Sequence, residues 1–260
     1  MDLRQWGADL ADLVLGRACL VCEAPGPSLC TACIASLRAR GGPWRAELGT
    51  LDPRGCLPLW FALPYRGVGA RLVLAYKEHG HLALSEPLGL LLADAIAAAL
   101  EPRARAVCLL PVPSTPRSAR GFDALDEIVR AAGCELARRG MAVSVARVLQ
   151  FPRGHRSVKS LDRRARWSTI QGTMRLDVSI ARSLPTGMNV VVDDVVTTGA
   201  TTMEMVRLLR AADVEVAGIA AVAHQAHHVN RGLPRSAAGQ PGYVGADPRT
   251  RSVHVPTIDS

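Results

Sequence analysis

The sequence lacks the features that mark several classes of protein. No apolar run reaches the roughly 20 residues that a membrane-spanning helix needs, and the best candidate, residues 88–100, contains Asp94. Residues 1–6 carry both acidic and basic side chains, which is not the pattern of a secretory signal. No repeat with a fixed period is visible. With 48% hydrophobic residues, the chain is predicted to be a globular, soluble, cytoplasmic protein.

Cysteine is too scarce for a disulfide scaffold, since the chain has seven cysteines in 260 residues. Four of them form two pairs, Cys19-x-x-Cys22 and Cys30-x-x-Cys33. Each pair can form a knuckle whose two thiolates face one cation, and two knuckles complete a tetrahedral Zn²⁺ site. A redox site would need only one pair, so the second pair favours a structural zinc module. The remaining cysteines are predicted to be singly buried: Cys56, Cys108 and Cys134.

Positive charge is concentrated in one part of the chain. The net charge is +8, and residues 103–182 contain 16 Arg or Lys against six Asp or Glu. Such a field favours an anionic partner, either a polyphosphate or a nucleic acid. A solvated Arg-rich surface would have the same composition, so charge alone does not choose among these interpretations.

From Leu59 onward, apolar runs alternate with segments of helical periodicity. This alternation predicts an α/β fold in which helices flank a parallel sheet. The predicted strands are 59–63, 106–112, 142–148, 189–193 and 214–222, and the predicted helices are 67–77, 84–100, 123–139 and 199–212.

The chain divides into three predicted parts. Residues 1–55 hold a short amphipathic helix (3–16), the four-cysteine zinc module with a helix at 33–40, and a linker-like stretch that starts at Gly41. Residues 56–228 form the α/β domain. Residues 229–260, rich in Gly, Pro, Ser and Arg, are predicted to be a flexible tail. His224, His227 and His228 could bind a metal or face a substrate base, but a solvated strand end is the expectation.

The run from Val190 to Thr201 is the most informative motif. Val190-Val191-Val192 is typical of a strand buried on both faces, and Asp193 and Asp194 follow where it is predicted to end. Carboxylates at this position suit the two hydroxyls of a ribose, or Mg²⁺ held through water. The alternative is a pair of solvated aspartates before a helix cap. The next small residues let backbone N–H groups and a helix N-terminus bind a phosphate: Thr197, Thr198, Gly199, Ala200 and Thr201.

This run resembles the signature by which type I phosphoribosyltransferases bind 5-phosphoribosyl-1-pyrophosphate (PRPP). The resemblance implies a type I phosphoribosyltransferase fold with the two acids on the ribose hydroxyls, the loop 197–201 on the 5-phosphate, and Mg²⁺ bound together with PRPP. No Gly-x-x-x-x-Gly-Lys-Ser/Thr sequence is present, so a P-loop is excluded.

A diphosphate needs a second binding loop, and residues 111–122 are the candidate. Prolines stiffen the exit of the preceding strand, and Arg117 and Arg120 are placed to pair with pyrophosphate oxygens. Two solvated arginines are the alternative. Lys77, one of two lysines in the chain, is a further candidate for the pyrophosphate, although a cation that complements the end of its helix is the simplest explanation.

Over residues 19–223 the sequence is similar to the ComF family of competence-associated phosphoribosyltransferase-like proteins. The similarity rests on the Cys pairs, Lys77-x-x-Gly80, Pro111-Val112-Pro113, Arg120-Gly121-Phe122 and the PRPP signature, in that order. The family's Asn-Gln after Gly-Phe is here Asp123-Ala124, and its Asn in the Arg-x-x-Asn stretch is here Thr169.

This resemblance implies transfer of a phosphoribosyl group to an unknown acceptor, with release of pyrophosphate. It also implies an alternative, a non-catalytic adaptor that senses PRPP or a nucleotide and acts on single-stranded DNA with the competence machinery during DNA uptake. The basic segment 147–166 would serve that role, but Phe151 and Trp167 are the only stacking side chains in or beside it.

Overall fold

The computed structural model describes residues 18–39, 42–48, 57–113, 123–150, 172, 174–186 and 188–225. All of them belong to the compact unit Met1–His227. Several predictions fall outside these residues: the helix 3–16, Cys56, Arg117, Arg120, Thr169, most of the basic segment (151–166) and the tail 229–260. They stay predictions.

A six-stranded sheet forms the centre of the molecule, with the strand order β1-β2-β8-β7-β3-β4. Five neighbouring strands are parallel, and β1 at one edge runs antiparallel to β2. The strands are β1 (Trp44–Glu47), β2 (Pro58–Pro64), β3 (Ala106–Pro111), β4 (Ala142–Val145), β7 (Asn189–Val196) and β8 (Gly218–His224). A separate two-stranded antiparallel ladder pairs β5 (Leu149–Gln150) with β6 (Arg175–Leu176). The predicted parallel sheet is confirmed.

Helices cover both faces of this sheet. They are α1 (Thr31–Ala39), α2 (Val68–Lys77), α3 (Ser85–Ala99), α4 (Ala124–Arg138), α5 (Val178–Arg182) and α6 (Ala200–Ala211), with a 3₁₀ turn at Leu82–Leu84. Helices α2, α3 and α4 bury their apolar residues on one face of the sheet. Helices α5 and α6 bury theirs on the other. The α/β fold predicted from the alternating pattern is therefore confirmed.

Strand β7 has no polar face in its first half because both of its faces are covered. Val190 and Val192 belong to the apolar cluster under α2–α4, and Val191 belongs to the cluster under α6. All three side chains are fully buried. A continuous apolar run is the pattern that such a strand requires.

The chain leaves β3 and β7 in opposite directions. From β3 it passes through α4 to β4 at the sheet edge, and from β7 it passes through α6 to β8 on the other side. The two helices lie on opposite faces, as right-handed crossovers in opposite directions require. The carboxyl ends of β3 and β7 therefore flank a topological switch point, where ligands bind in open α/β sheets.

Several bounds differ from the predictions: β4 ends at Val145 instead of at residue 148, and β8 is Gly218–His224 instead of 214–222. Two further differences concern β7 and β1. Strand β7 continues to Val196, three residues past its predicted end, because β8 keeps pairing with it up to His224. Residues 44–47, predicted as part of a linker-like stretch, form β1 and pair with β2 from Trp44↔Phe61 to Glu47↔Pro58. These four residues alternate apolar and polar side chains, but four is the shortest run that indicates a strand, and the predicted strands do not include it.

The segment Leu82–Ala99 is long and apolar enough, by length and composition alone, to cross a membrane. Half of it is buried inside the fold. Helix α3, which makes up most of it, packs against α4, β2 and β8. Its apolar composition is therefore explained by its position in the core.

Candidate functional site

The acidic pair lies inside strand β7, at the switch point. Strand β3 stops pairing with β7 at Pro111↔Val192, and a last hydrogen bond runs from the Val112 N–H to the Val192 carbonyl (2.9 Å). Beyond that point, β7 keeps β8 as its neighbour, with Asp193 opposite Ala221. The strand therefore continues past its predicted end at Asp193, and the acids lie where β7 has lost β3 as a neighbour.

The predicted phosphate loop follows directly. Strand β7 ends at Val196, and α6 begins at Ala200. Gly199 is the N-cap residue with φ 75°, a left-handed conformation that favours glycine. The Ala200 N–H donates a hydrogen bond to Thr198 Oγ1 (3.3 Å). A hollow of about 40 Å³ at this helix N-terminus is lined by Asp193 and by residues 195–202.

Leu48, just after β1, covers the phosphate loop from one side. A methyl group added to Gly199 would lie 3.2 Å from both terminal carbons of Leu48. The left-handed backbone thus favours glycine here, and a larger residue would also have to displace the end of the Leu48 side chain. Nothing in the sequence pointed to Leu48, because the contact joins two segments that are far apart in the chain.

The two carboxylates are not equivalent. The Asp194 N–H donates to Asp193 Oδ1 (2.8 Å), and Lys77 Nζ lies 2.6 Å from Asp194 Oδ2. The pKa of Asp193 is raised well above its usual range, mainly by burial and secondly by the charge of Asp194. The Lys77 ammonium thus sits directly on Asp194.

Lys77 therefore reaches the acidic pair, which the sequence did not predict. It is the last residue of α2, where it also complements the helix dipole. The sequence placed it as a candidate for pyrophosphate or as a helix-end cation. Its closest acidic partner is instead the second of the two predicted ribose-binding residues.

The expectation of a solvated strand end at His224 is wrong. His224 is 8% exposed, and its Nδ1 lies 2.8 Å from the carbonyl oxygen of Val196, to which it donates. The ring of Phe61 lies edge-on to it, with the ring centres 5.1 Å apart. The imidazole thus fastens the end of β8 to the end of β7, just before the phosphate loop. His227 and His228 lie outside the described residues.

The four predicted zinc ligands form a compact cluster. The sulfur atoms of Cys19, Cys22, Cys30 and Cys33 all lie within 4.8 Å of one another, and those of Cys22 and Cys30 are 3.7 Å apart. Tetrahedral zinc with Zn–S bonds of about 2.3 Å requires sulfur–sulfur distances of about 3.8 Å. The cluster is therefore compatible with a structural zinc ion.

Backbone donors support thiolates in this cluster. The Cys30 N–H points at Cys19 Sγ (3.5 Å). Burial raises the pKa of Cys19, but N–H donors from Cys22, Cys30 and Val21 outweigh it and lower that pKa to about 6. Burial and the neighbouring thiols raise the pKa of Cys33, which a bound cation would reverse, since it deprotonates a coordinating thiol. Of the single cysteines, Cys108 is buried as predicted, whereas Cys134 is exposed.

The module packs onto the α/β core. Cys19, Leu29 and Cys33 are buried in the same apolar cluster as α3 and α4. Arg38 of α1 also forms a two-point ion pair with Asp94 of α3, with distances of 2.7 and 3.0 Å. The cysteine cluster therefore shares its stability with the rest of the described fold.

Residues 139–235 match the family model for the phosphoribosyl transferase domain. The matched stretch contains β4, β7, the phosphate loop, α6 and β8. A search of curated proteins found no match to the chain. The match supports a type I phosphoribosyltransferase-like protein and implies PRPP binding. The narrower resemblance to the ComF family stays a prediction.

Proposed function

We propose that the protein is a phosphoribosyltransferase that binds PRPP at the carboxyl end of β7. The observation that carries this proposal is the arrangement at the switch point. A left-handed glycine and a helix N-terminus follow, within a few residues, two carboxylates whose neighbouring strand has ended. Phosphate donors and ribose-hydroxyl acceptors thus lie next to each other, as a ribose 5-phosphate requires.

In this proposal Asp193 and Asp194 accept hydrogen bonds from the ribose hydroxyls, and residues 197–201 hold the 5-phosphate. A nucleophile attacks the anomeric carbon, the bond to pyrophosphate breaks, and its electron pair leaves with the pyrophosphate. Arg117 and Arg120, in the segment that follows β3, are proposed to neutralise the leaving group. Mg²⁺ bound with PRPP would supply further neutralisation of that charge.

One departure from the family pattern has a structural role that supports a working site. Asp123 is the N-cap of α4, and its carboxylate accepts the Leu125 N–H (3.0 Å). Asparagine and aspartate are about equally good N-caps. The exchange therefore preserves the start of the helix that follows residues 114–122. We also propose that the protein acts in the cytoplasm, where reduced thiols can hold a metal.

The test is calorimetric titration with PRPP and Mg²⁺, followed by assays of pyrophosphate release with a panel of nucleobases and other acceptors. The wild-type chain should bind PRPP, and the Asp193→Asn/Asp194→Asn double variant should bind it with a loss of about 1.5–3 kcal/mol for each hydrogen bond to a charged group. Unchanged affinity in the double variant would contradict the assignment of the acidic pair. Binding without turnover of any acceptor would favour the adaptor alternative.

A further inference from the structure

Lys77 is held in place at the end of α2 by the residue before it. Tyr76 is 2% exposed, and its hydroxyl donates a hydrogen bond to the Ala124 carbonyl (2.8 Å) at the start of α4. The helix ends at Lys77, and Gly80 follows with φ 69°. The backbone from which the Lys77 side chain extends is therefore fixed by a buried anchor.

From this position the Lys77 ammonium lies 2.6 Å from one oxygen of Asp194, whose side chain is 11% exposed. Burial lowers the pKa of Lys77, but the charges of Asp194 and Asp193 outweigh burial, so its net pKa is raised. Lys77 is thus a cation at neutral pH and faces both acids.

An acidic pair beside a phosphate loop has an electrostatic problem. Asp193 and Asp194 repel each other, and both repel a phosphate bound by the neighbouring loop. A fixed cation on Asp194 offsets this repulsion and holds the carboxylate in one orientation. It engages Oδ2 of Asp194, and the second oxygen of a carboxylate can still accept from a hydroxyl group.

We propose that Lys77 is a positioning residue for ribose binding, which acts through Asp194 and does not grip the pyrophosphate. This inference rests on the proposed function and makes it more specific. It assigns the two halves of PRPP to different residues. Lys77 supports recognition of the ribose 5-phosphate half, and the arginines after β3 serve the pyrophosphate half.

The two roles of Lys77 predict opposite results with two probes. Ribose 5-phosphate lacks pyrophosphate, and inorganic pyrophosphate with Mg²⁺ lacks the sugar. If Lys77 acts through Asp194, Lys77→Met lowers the affinity for ribose 5-phosphate and the affinity for PRPP by similar factors. The expected factor is about tenfold or more, as for the loss of a charge-assisted contact. Pyrophosphate binding should stay within about twofold. A matched control is Arg71→Met, which removes an exposed cation from the same helix and should leave all three affinities unchanged.

A double-mutant cycle separates positioning from direct contact. In the Asp194→Asn background, Lys77→Met should cause little further loss of ribose 5-phosphate affinity, since both changes remove the same interaction. Additive losses, or a loss that is confined to PRPP and pyrophosphate, would overturn the inference and make Lys77 a pyrophosphate ligand. A wild-type chain that binds neither sugar phosphate would contradict the proposed function itself. Lys77→Arg, which keeps the charge, should restore part of the affinity, and retained pyrophosphate binding by Lys77→Met shows that the Met variant has not simply unfolded.

Discussion

Glu204 and Arg207 form a partly buried ion pair on α6, one turn after the phosphate loop. Glu204 is fully buried, and the guanidinium of Arg207 donates to both of its oxygens, at 2.7 and 2.8 Å. The Gly172 N–H donates to the same carboxylate (2.8 Å). Burial raises the pKa of Glu204, but Arg207 and Gly172 outweigh burial and hold that pKa below its usual value. The Gly172 contact therefore ties α6, which begins at the phosphate loop, to a residue outside the helix.

Replacing Arg207 with Met should leave a buried carboxylate without its cation. Because Arg207 is 44% exposed, we expect a loss of about 2–3 kcal/mol of unfolding free energy, less than a fully buried pair would give. The pKa of Glu204 is lower in the folded state than in the unfolded state. Glu204 therefore stabilises the fold at pH values above its unfolded pKa, and this contribution is lost as pH falls through its folded pKa. The deficit of the variant, measured by urea unfolding, should therefore shrink on acidification. Adding Glu204→Met should restore stability at neutral pH, and a further loss would contradict this account.

Asp193→Asn should stabilise the fold while it weakens ribose 5-phosphate binding. The pKa of Asp193 is raised by burial and by Asp194. Its contribution to stability is therefore fully present below the unfolded pKa, about 3.9, and is lost as pH rises through the folded pKa. At pH 7.5 we expect the variant to melt about 2–4 °C above the wild type, with no gain near pH 4. Glu101→Gln, an exposed carboxylate, is the control. A lower melting temperature at pH 7.5 would contradict the electrostatic account.

The purified, reduced chain should hold about one zinc ion. Cys22→Ser should release it, whereas Cys134→Ser, which changes an exposed cysteine outside the cluster, should not. Because Cys19 and Cys33 share an apolar cluster with α3 and α4, loss of the metal should lower the melting temperature of the whole fold and not of the module alone. Metal analysis and scanning calorimetry measure both effects. Full zinc occupancy in Cys22→Ser would show that the four thiols are not the ligands.

Replacing each of two helical glycines with alanine should have opposite effects on stability. A Cβ on Gly89 of α3 would lie 2.4 Å from the Ala131 Cβ and 2.9 Å from the Ala132 nitrogen. Overpacking of this kind costs about 1–3 kcal/mol. A Cβ on Gly133 of α4 would meet Val143 at 3.5 Å, an ordinary contact, so Gly133→Ala should gain about 0.5–1 kcal/mol from helix propensity. Chemical denaturation of both variants measures the change in unfolding free energy and so tests how closely α3 and α4 approach at Gly89. Equal changes in the two variants would contradict the close approach.

The adaptor alternative is tested through the basic segment, whose arginines at 163, 164 and 166 lie outside the described residues. If they bind single-stranded DNA, a plot of log affinity for DNA against log salt concentration should have a slope of roughly −0.7 per phosphate contact. Neutralising all three arginines should make this slope less steep and leave PRPP binding intact. We expect weak DNA binding, because single-strand binders combine charge with stacking side chains. Tight binding with a slope that collapses in the triple variant would favour the adaptor.

The sequence by itself determined the local features. The apolar run at 190–192, the two acids and the small-residue loop specified a strand, a turn and a helix start, because backbone propensity and burial pattern act over neighbouring residues. The cysteine spacing likewise specified a four-sulfur cluster.

Only the tertiary structure decided which distant segments meet at the site. It brought Lys77 to Asp194, placed Leu48 over Gly199, and extended β7 past the acids by pairing it with β8. These contacts depend on how helices and strands pack against one another. No local periodicity records them, since each side chain would fit its own helix or strand equally well without its partner.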